Sequence, residues 1–271
     1  MLISLDQMHK IHEIQLEIFK ELKSVMNELD VKYFFVHGSL LGAVRDNGFI
    51  DEDDDIDIAL FRDDYNKLIR EGNSIISSKY FIQSSLNDDF PLAFAKVRKY
   101  KTSFIQPVLA DYNCNKGIYI DVFPIDYDFE DKSIFFELQK AILNIRINKR
   151  LKSQKKFKRK IIELFSLIFY PSYNKALYKR EKLYSSVKDT EFVSIFSGKS
   201  SERRMLLKWF GEGKKIKFCD IEVNCPCGSE DYLARIYGSD FLNYNPAELR
   251  ISNDKQIEVS ASIIDFVSTS R

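Results

Sequence analysis

The residues Gly38-Ser39 precede the acidic run Asp51-Glu52-Asp53-Asp54-Asp55-Ile56-Asp57-Ile58 by only a short stretch of chain. A glycine-serine turn offers backbone N–H groups and a hydroxyl to a phosphate, and carboxylates hold divalent metal. Phosphoryl transfer is chiefly positioning and charge neutralisation, so it needs both parts. The alternation from Asp55 to Leu60 reads as a strand with Asp55 and Asp57 on one face and Ile56, Ile58 and Leu60 on the other. Further along, Asp121 interrupts the apolar run Gly117–Pro124. A carboxylate inside an apolar strand is costly unless it is paired or metal-bound. Asp121 is therefore a third candidate ligand, and a candidate base for an incoming hydroxyl. The competing reading of Asp51–Asp57 is a solvated acidic loop. An EF-hand is excluded because a loop starting at Asp51 or Asp53 has no glycine in its sixth position.

The elements that must position these groups are legible in outline. Ile11, Ile14, Ile18, Leu22, Val25 and Leu29 recur at helical spacing, which predicts an amphipathic packing helix up to about Glu28. Val31–Val36 reads as a short buried strand ending in the Gly38-Ser39 turn, followed by one or two helical turns over Leu40–Arg45. Asp63–Ile76 is helical in pattern. Strands are expected over Phe90–Tyr100, Thr102–Ala110 and Gly117–Pro124, the last stopped by its proline. Asp231–Gly238 predicts a short helix closed by glycine. The last twenty or so residues look peripheral.

The bulk composition bounds the answer. Lys+Arg 41 against Asp+Glu 40 gives no global argument for nucleic acid, so electrostatic partners must be sought in local patches. A chain of 271 residues that is 45% hydrophobic and 30% charged is expected to be soluble and to bury a real core. The start carries no basic region followed by an apolar run, and the longest greasy stretch, Ile161–Tyr170, is too short for a bilayer, which needs about twenty residues. Four cysteines do not make a disulfide framework in a chain of this length, so a cytoplasmic, reducing location is the expectation. Cys219, Cys225 and Cys227 with Cys114 lack the paired spacing of a zinc knuckle.

One local patch stands out. Arg146, Lys149, Arg150, Lys152, Lys155, Lys156, Lys158, Arg159 and Lys160 occur with no acid among them, directly before the greasy stretch. This reads either as a solvated helix leading into a core helix or as an interfacial segment, 146–170, that grips anionic lipid. No nucleic-acid recognition motif accompanies it.

The run Gly38-Ser-Leu-Leu-Gly-Ala-Val-Arg45, then Gly48-Phe-Ile and Asp53-Asp-Asp-Ile-Asp57, resembles the LicD family of phosphotransferases, which includes the fukutin-like enzymes. Ile120-Asp-Val-Phe-Pro-Ile-Asp126 resembles that family's later Asp-apolar-Phe-Pro motif, and Lys96-Val-Arg98 its basic strand. Asp231-Tyr-Leu and Tyr237-Gly238 resemble its C-terminal signature. Where members often carry Pro-Trp before the acids, this chain has Asp51-Glu52. The resemblance implies an α/β (α+β) fold of nucleotidyltransferase type, a small mixed sheet with flanking helices. It implies transfer of phosphocholine, or a similar phospho-substituent, from a CDP-activated donor such as CDP-choline to a hydroxyl of a glycan acceptor, with CMP released. Such acceptors belong to lipopolysaccharide, teichoic acid or capsule assembly and are often lipid-linked. A nucleotidyltransferase that adds NMP and releases pyrophosphate remains the alternative. Carried over, Asp55, Asp57 and Asp121 would bind Mg²⁺ or Mn²⁺ with Asp53 as a helper, while Gly38 and Ser39 would contact the donor diphosphate. Arg45, Lys96 and Arg98 would clamp phosphate. The expected organisation is a catalytic core over 1–130, a helical, basic and aromatic region over 131–210, and a segment over 211–271 that packs back on the core.

Overall fold

The computed structural model describes residues 5–128, 134–147, 166–188, 190–195, 204–244 and 264–265. Most of the basic run, residues 148–165, and nearly all of the final stretch lie outside the described residues. The molecule is an α/β fold: helices pack around a mixed sheet in the order β1-β2-β6-β4-β3, with β7 and β8 continuing from the far end of β6.

Helix α1 (Leu5–Glu28) buries Met8, Ile11, Ile18, Phe19, Leu22, Val25 and Met26 along one stripe. Strand β1 (Phe34–Phe35) leads into α2 (His37–Arg45), and β2 (Asp57–Phe61) runs without a loop into α3 (Arg62–Ile75). Strands β3 (Tyr80–Gln83), β4 (Ala95–Lys99), β5 (Ser103–Phe104) and β6 (Tyr119–Tyr127) follow. Strands β2 and β6 are parallel, and β4 is antiparallel to both β6 and β3. Ile56, Ile58, Leu60, Val97, Ile120 and Val122 are buried and fill one face of the sheet. The acids lie on the other.

Three expectations are corrected. Gly38-Ser39 is not a turn ahead of a helix but the first turn of α2 itself, because the chain reverses at His37, whose φ is 50°. The expected strand over Thr102–Ala110 shrinks to Ser103–Phe104, after which Pro107–Leu109 forms a 3₁₀ turn. Proline does not stop β6, which continues to Tyr127. The Asp121 N–H points to β2, where it donates to the Ile56 carbonyl at 2.8 Å. Strand alternation then turns the Pro124 nitrogen to the opposite edge. There it falls between the last β4 pairing at Val122 and the first β7 pairing at Asp126, so the missing N–H breaks no ladder bond.

Helices α4 (Ile134–Ile147) and α5 (Tyr173–Tyr184) pair through Leu143, Ile147, Ala176 and Leu177. Strands β7 (Phe192–Ser194) and β8 (Met205–Leu206) extend the sheet, and the hairpin of β9 (Lys214–Phe218) and β10 (Ile221–Cys225) follows. Phe218 meets Phe35 edge-on at 5.1 Å, and Phe210 meets Phe34 at 5.3 Å, so this region joins the main core. Helix α6 (Ser229–Tyr237) ends at Gly238, whose φ of 94° supplies a left-handed stop. Within the final stretch, strand β11 (Ile264–Asp265) pairs with β5. Residues 166–169 are helical and leave Ile168 and Phe169 exposed. No helix among the described residues is long and apolar enough to cross a membrane.

Candidate active and metal site

Strand register builds the centre of the site. Asp57 pairs with Asp121 across β2 and β6, and Asp121 pairs with Lys96 across β6 and β4. Neighbours across a sheet share a face, so Asp57, Asp121 and Lys96 stand in one row. Asp55, two residues before Asp57, joins them. One oxygen from each of Asp55, Asp57 and Asp121 lies within 4.8 Å of the others, and Asp53, Asp54 and Asp55 form a second such group that shares Asp55. Among the described residues these are the carboxylate groupings that fit a metal ion. An all-oxygen, carboxylate-rich set suits a hard divalent cation.

The electrostatics favour a cation as well. Burial, then the charge of Asp57, pushes the Asp55 carboxyl well above its usual range. Burial, then Asp121 and Asp53, does the same to Asp57. Asp121 is raised by burial too, but the Lys96 ammonium opposes the shift. Like charges held this close relax only by taking up a proton or a metal.

The glycines and Ser39 shape the wall facing the acids. A Cβ on Gly38 would lie 2.0 Å from the Asp53 Oδ2, so this carboxylate rests directly on the helix backbone and would have to move for any larger residue. The positive end of α2 favours such an anion. Gly42 is needed for a similar reason, since the Gly48 carbonyl would be 2.4 Å from its Cβ. The Asp57 N–H donates to the Ser39 hydroxyl oxygen at 2.8 Å. Ser39 thereby sets the start of β2, and its own hydroxyl proton remains to be donated.

The three expected phosphate clamps have other partners in the structure. Lys96 is fully buried, bonded to the Asp121 Oδ1 and seated 3.5 Å from the centre of the Tyr119 ring. Arg98, also fully buried, donates to the Gln83 Oε1 and the Gly117 carbonyl, each at 2.6 Å, and sits over the same ring. Arg45 forks onto the Asp46 carboxylate and donates to the Tyr244 carbonyl at 2.6 Å. Lys96 and Arg98 therefore flank the acid row on its own sheet face, Lys96 through Asp121 and Arg98 over Tyr119.

Several contributors escape a linear reading of the sequence. His12 donates from Nε2 to the Asp53 carbonyl at 2.7 Å, and Gln15 donates from Nε2 to the Asp54 carbonyl at 2.7 Å. Their only signal is two polar side chains within the apolar stripe of α1. Tyr119 shares the sheet face with the acids, and burial, then Asp54, Asp55 and Asp121, raises its hydroxyl far above the usual value. Tyr237 on α6 is raised by burial and then by Asp53, which places the C-terminal helix beside the cluster. Tyr232 of the same helix shares a 3.3 Å hydrogen bond with the His37 Nδ1. Cys114, Cys219, Cys225 and Cys227 are free thiols, and none enters a metal-binding group among the described residues.

Residues 30–143 match the family model described as LicD/FKTN/FKRP, nucleotidyltransferase domain. Every candidate acid falls within that span. No curated protein matches the chain.

Proposed function

Because this chain is a LicD-family protein, a type of transferase associated with phosphotransferase-type glycan modification, we propose that it moves a phospho-substituent, phosphocholine foremost, from a CDP-activated donor to a glycan hydroxyl. The observation that carries this reading is the row Asp57–Asp121–Lys96 with Asp55 beside it, opposite the start of α2. Asp55, Asp57 and Asp121 would hold Mg²⁺ or Mn²⁺, with Asp53 in support. When bound, the ion neutralises the donor diphosphate and the departing CMP.

The protein's own groups do the rest. The Ser39 hydroxyl and the N-terminal turn of α2 receive donor phosphate oxygens. The acceptor hydroxyl oxygen attacks the phosphorus bearing the head group, the bond from that phosphorus to the CMP oxygen breaks, and CMP leaves. Lys96 occupies the Asp121 Oδ1, which leaves Oδ2 to take the hydroxyl proton. A quaternary ammonium head group would need aromatic faces, and Tyr237, partly exposed and coupled electrostatically to Asp53 and Asp57, is one such face. Asp51-Glu52 adds negative charge at the loop that precedes the acids, which suits a cationic head group. The acceptor is a lipid-linked glycan precursor. The basic run from Arg146, with exposed Ile168 and Phe169 after it, offers a peripheral contact with anionic lipid on the cytoplasmic side.

Product analysis tests the proposal. With Mg²⁺, a lipid-linked acceptor preparation and CDP-choline, CDP-ethanolamine, CDP-glycerol or CDP-ribitol in turn, CMP release and head-group transfer are expected, strongest for CDP-choline. Pyrophosphate release from CTP, with every CDP donor inert, would overturn it.

A further inference from the structure

Helix α1 ends before the matched domain begins, and its length and apolar stripe make it look like packing. Its polar contacts follow a pattern that packing does not require. His9, His12 and Gln15 lie one helical turn apart on one face, and in that order they meet Asp51, Asp53 and Asp54. The His9 Nε2 lies 3.5 Å from the Asp51 Oδ1, at the exposed end. His12 and Gln15 are buried, and each donates at 2.7 Å to a backbone carbonyl of the acid loop. The His12 ring also stacks on Phe49, centroids 4.1 Å apart and planes 8° from parallel, which fixes its direction.

We infer that α1 is part of the metal site, with His12 and Gln15 as positioning residues that fix the acid loop through its carbonyls. The inference rests on the reading of these acids as metal ligands. A trans peptide is planar, with its C=O and following N–H opposed. Turning the Asp53 and Asp54 carbonyls onto α1 therefore turns the N–H groups of Asp54 and Asp55 away from it. The backbone between the acids is held in one orientation, and the carboxylates are aimed by it. A carbonyl only accepts, so the His12 Nε2 carries a proton and donates it, as the Gln15 amide does. The Gln15 Oε1 has no partner, so a buried glutamine is tolerated here for its donor alone.

The test uses near-isosteric variants of the full chain. His12→Phe keeps the ring on Phe49, and Gln15→Met keeps the shape; both remove a donor. His12→Gln returns an amide N–H near the Nε2 position. Hydrogen exchange is measured over 50–57 and over 119–125 in metal-free protein, and Mn²⁺ affinity by electron paramagnetic resonance. Both apolar variants are expected to exchange faster over 50–57 alone and to bind Mn²⁺ about 10–100-fold more weakly, as loss of groups that orient metal ligands does. His12→Gln is expected to recover most of both. If wild-type protein binds Mn²⁺ and the variants match it in affinity and exchange, the inference fails alone. If exchange rises equally over 119–125, α1 is packing and the inference fails. If wild-type protein binds no Mn²⁺, the metal reading itself falls and takes this inference with it.

Discussion

Asp57 carries the sharpest conflict between stability and chemistry. Without metal, its carboxyl is raised above the ordinary value of about 4 by burial and by Asp121 and Asp53. Between that value and the folded one, the folded chain holds more protons than the unfolded chain. Metal-free stability must then fall as pH rises through this window. Asp57→Asn removes one of the crowded charges. It is expected to raise metal-free stability by about 1 kcal/mol at neutral pH, flatten that pH dependence and abolish turnover. Thermal unfolding across pH, paired with product assays, checks all three. Gly38→Ala drives a methyl into the Asp53 carboxylate. A cost of about 1–3 kcal/mol is expected, with weakened metal binding visible by calorimetry. Asp55, Asp57 and Asp121 could be read from the sequence because alternation and an acid in an apolar strand are local signals. The partners of Lys96 and Arg98 could not. A basic residue reads as a surface clamp until the fold shows that it is buried against Asp121, Tyr119 and Gln83.

At the scale of elements, α3 and α5 are tied to the end of β6 by one guanidinium. Arg62 forks onto Asp126 through Nε and Nη2, at 2.7 and 2.5 Å, and reaches Glu181 through Nη1 at 2.9 Å. The Asp126 side chain is 1% exposed, so Arg62→Met would strand a buried carboxylate. A loss of about 3–5 kcal/mol is expected in denaturant unfolding. Asp126→Asn in the same background should recover part of it, because the stranded charge disappears. The helices α1, α3 and α6 were legible because apolar periodicity and a closing glycine are written locally. The length of β6 was not. Whether Pro124 ends a strand depends on what lies on its nitrogen side, and there it falls in the gap between β4 and β7, whose pairing with Asp126 comes from some seventy residues later.

For the molecule as a whole, the sheet order β1-β2-β6-β4-β3 brings Asp57 beside an acid far away in sequence. The mixed α/β class follows from the pattern of elements, whereas this order rests on long-range pairing. The same is true of the seat of α6, which brings Tyr232 to His37 and Tyr237 to the acid cluster. The raised acids make metal uptake a proton-releasing event, so Mg²⁺ should bind more tightly as pH rises and should lift the melting temperature more at pH 8 than at pH 6. The most direct test of the central claim is calorimetry of CDP-choline against the wild-type protein and Asp57→Asn, with and without Mg²⁺. Binding is expected in the wild-type protein only when Mg²⁺ is present, and none in Asp57→Asn. Equal binding without Mg²⁺, or binding that Asp57→Asn leaves unchanged, would contradict the account.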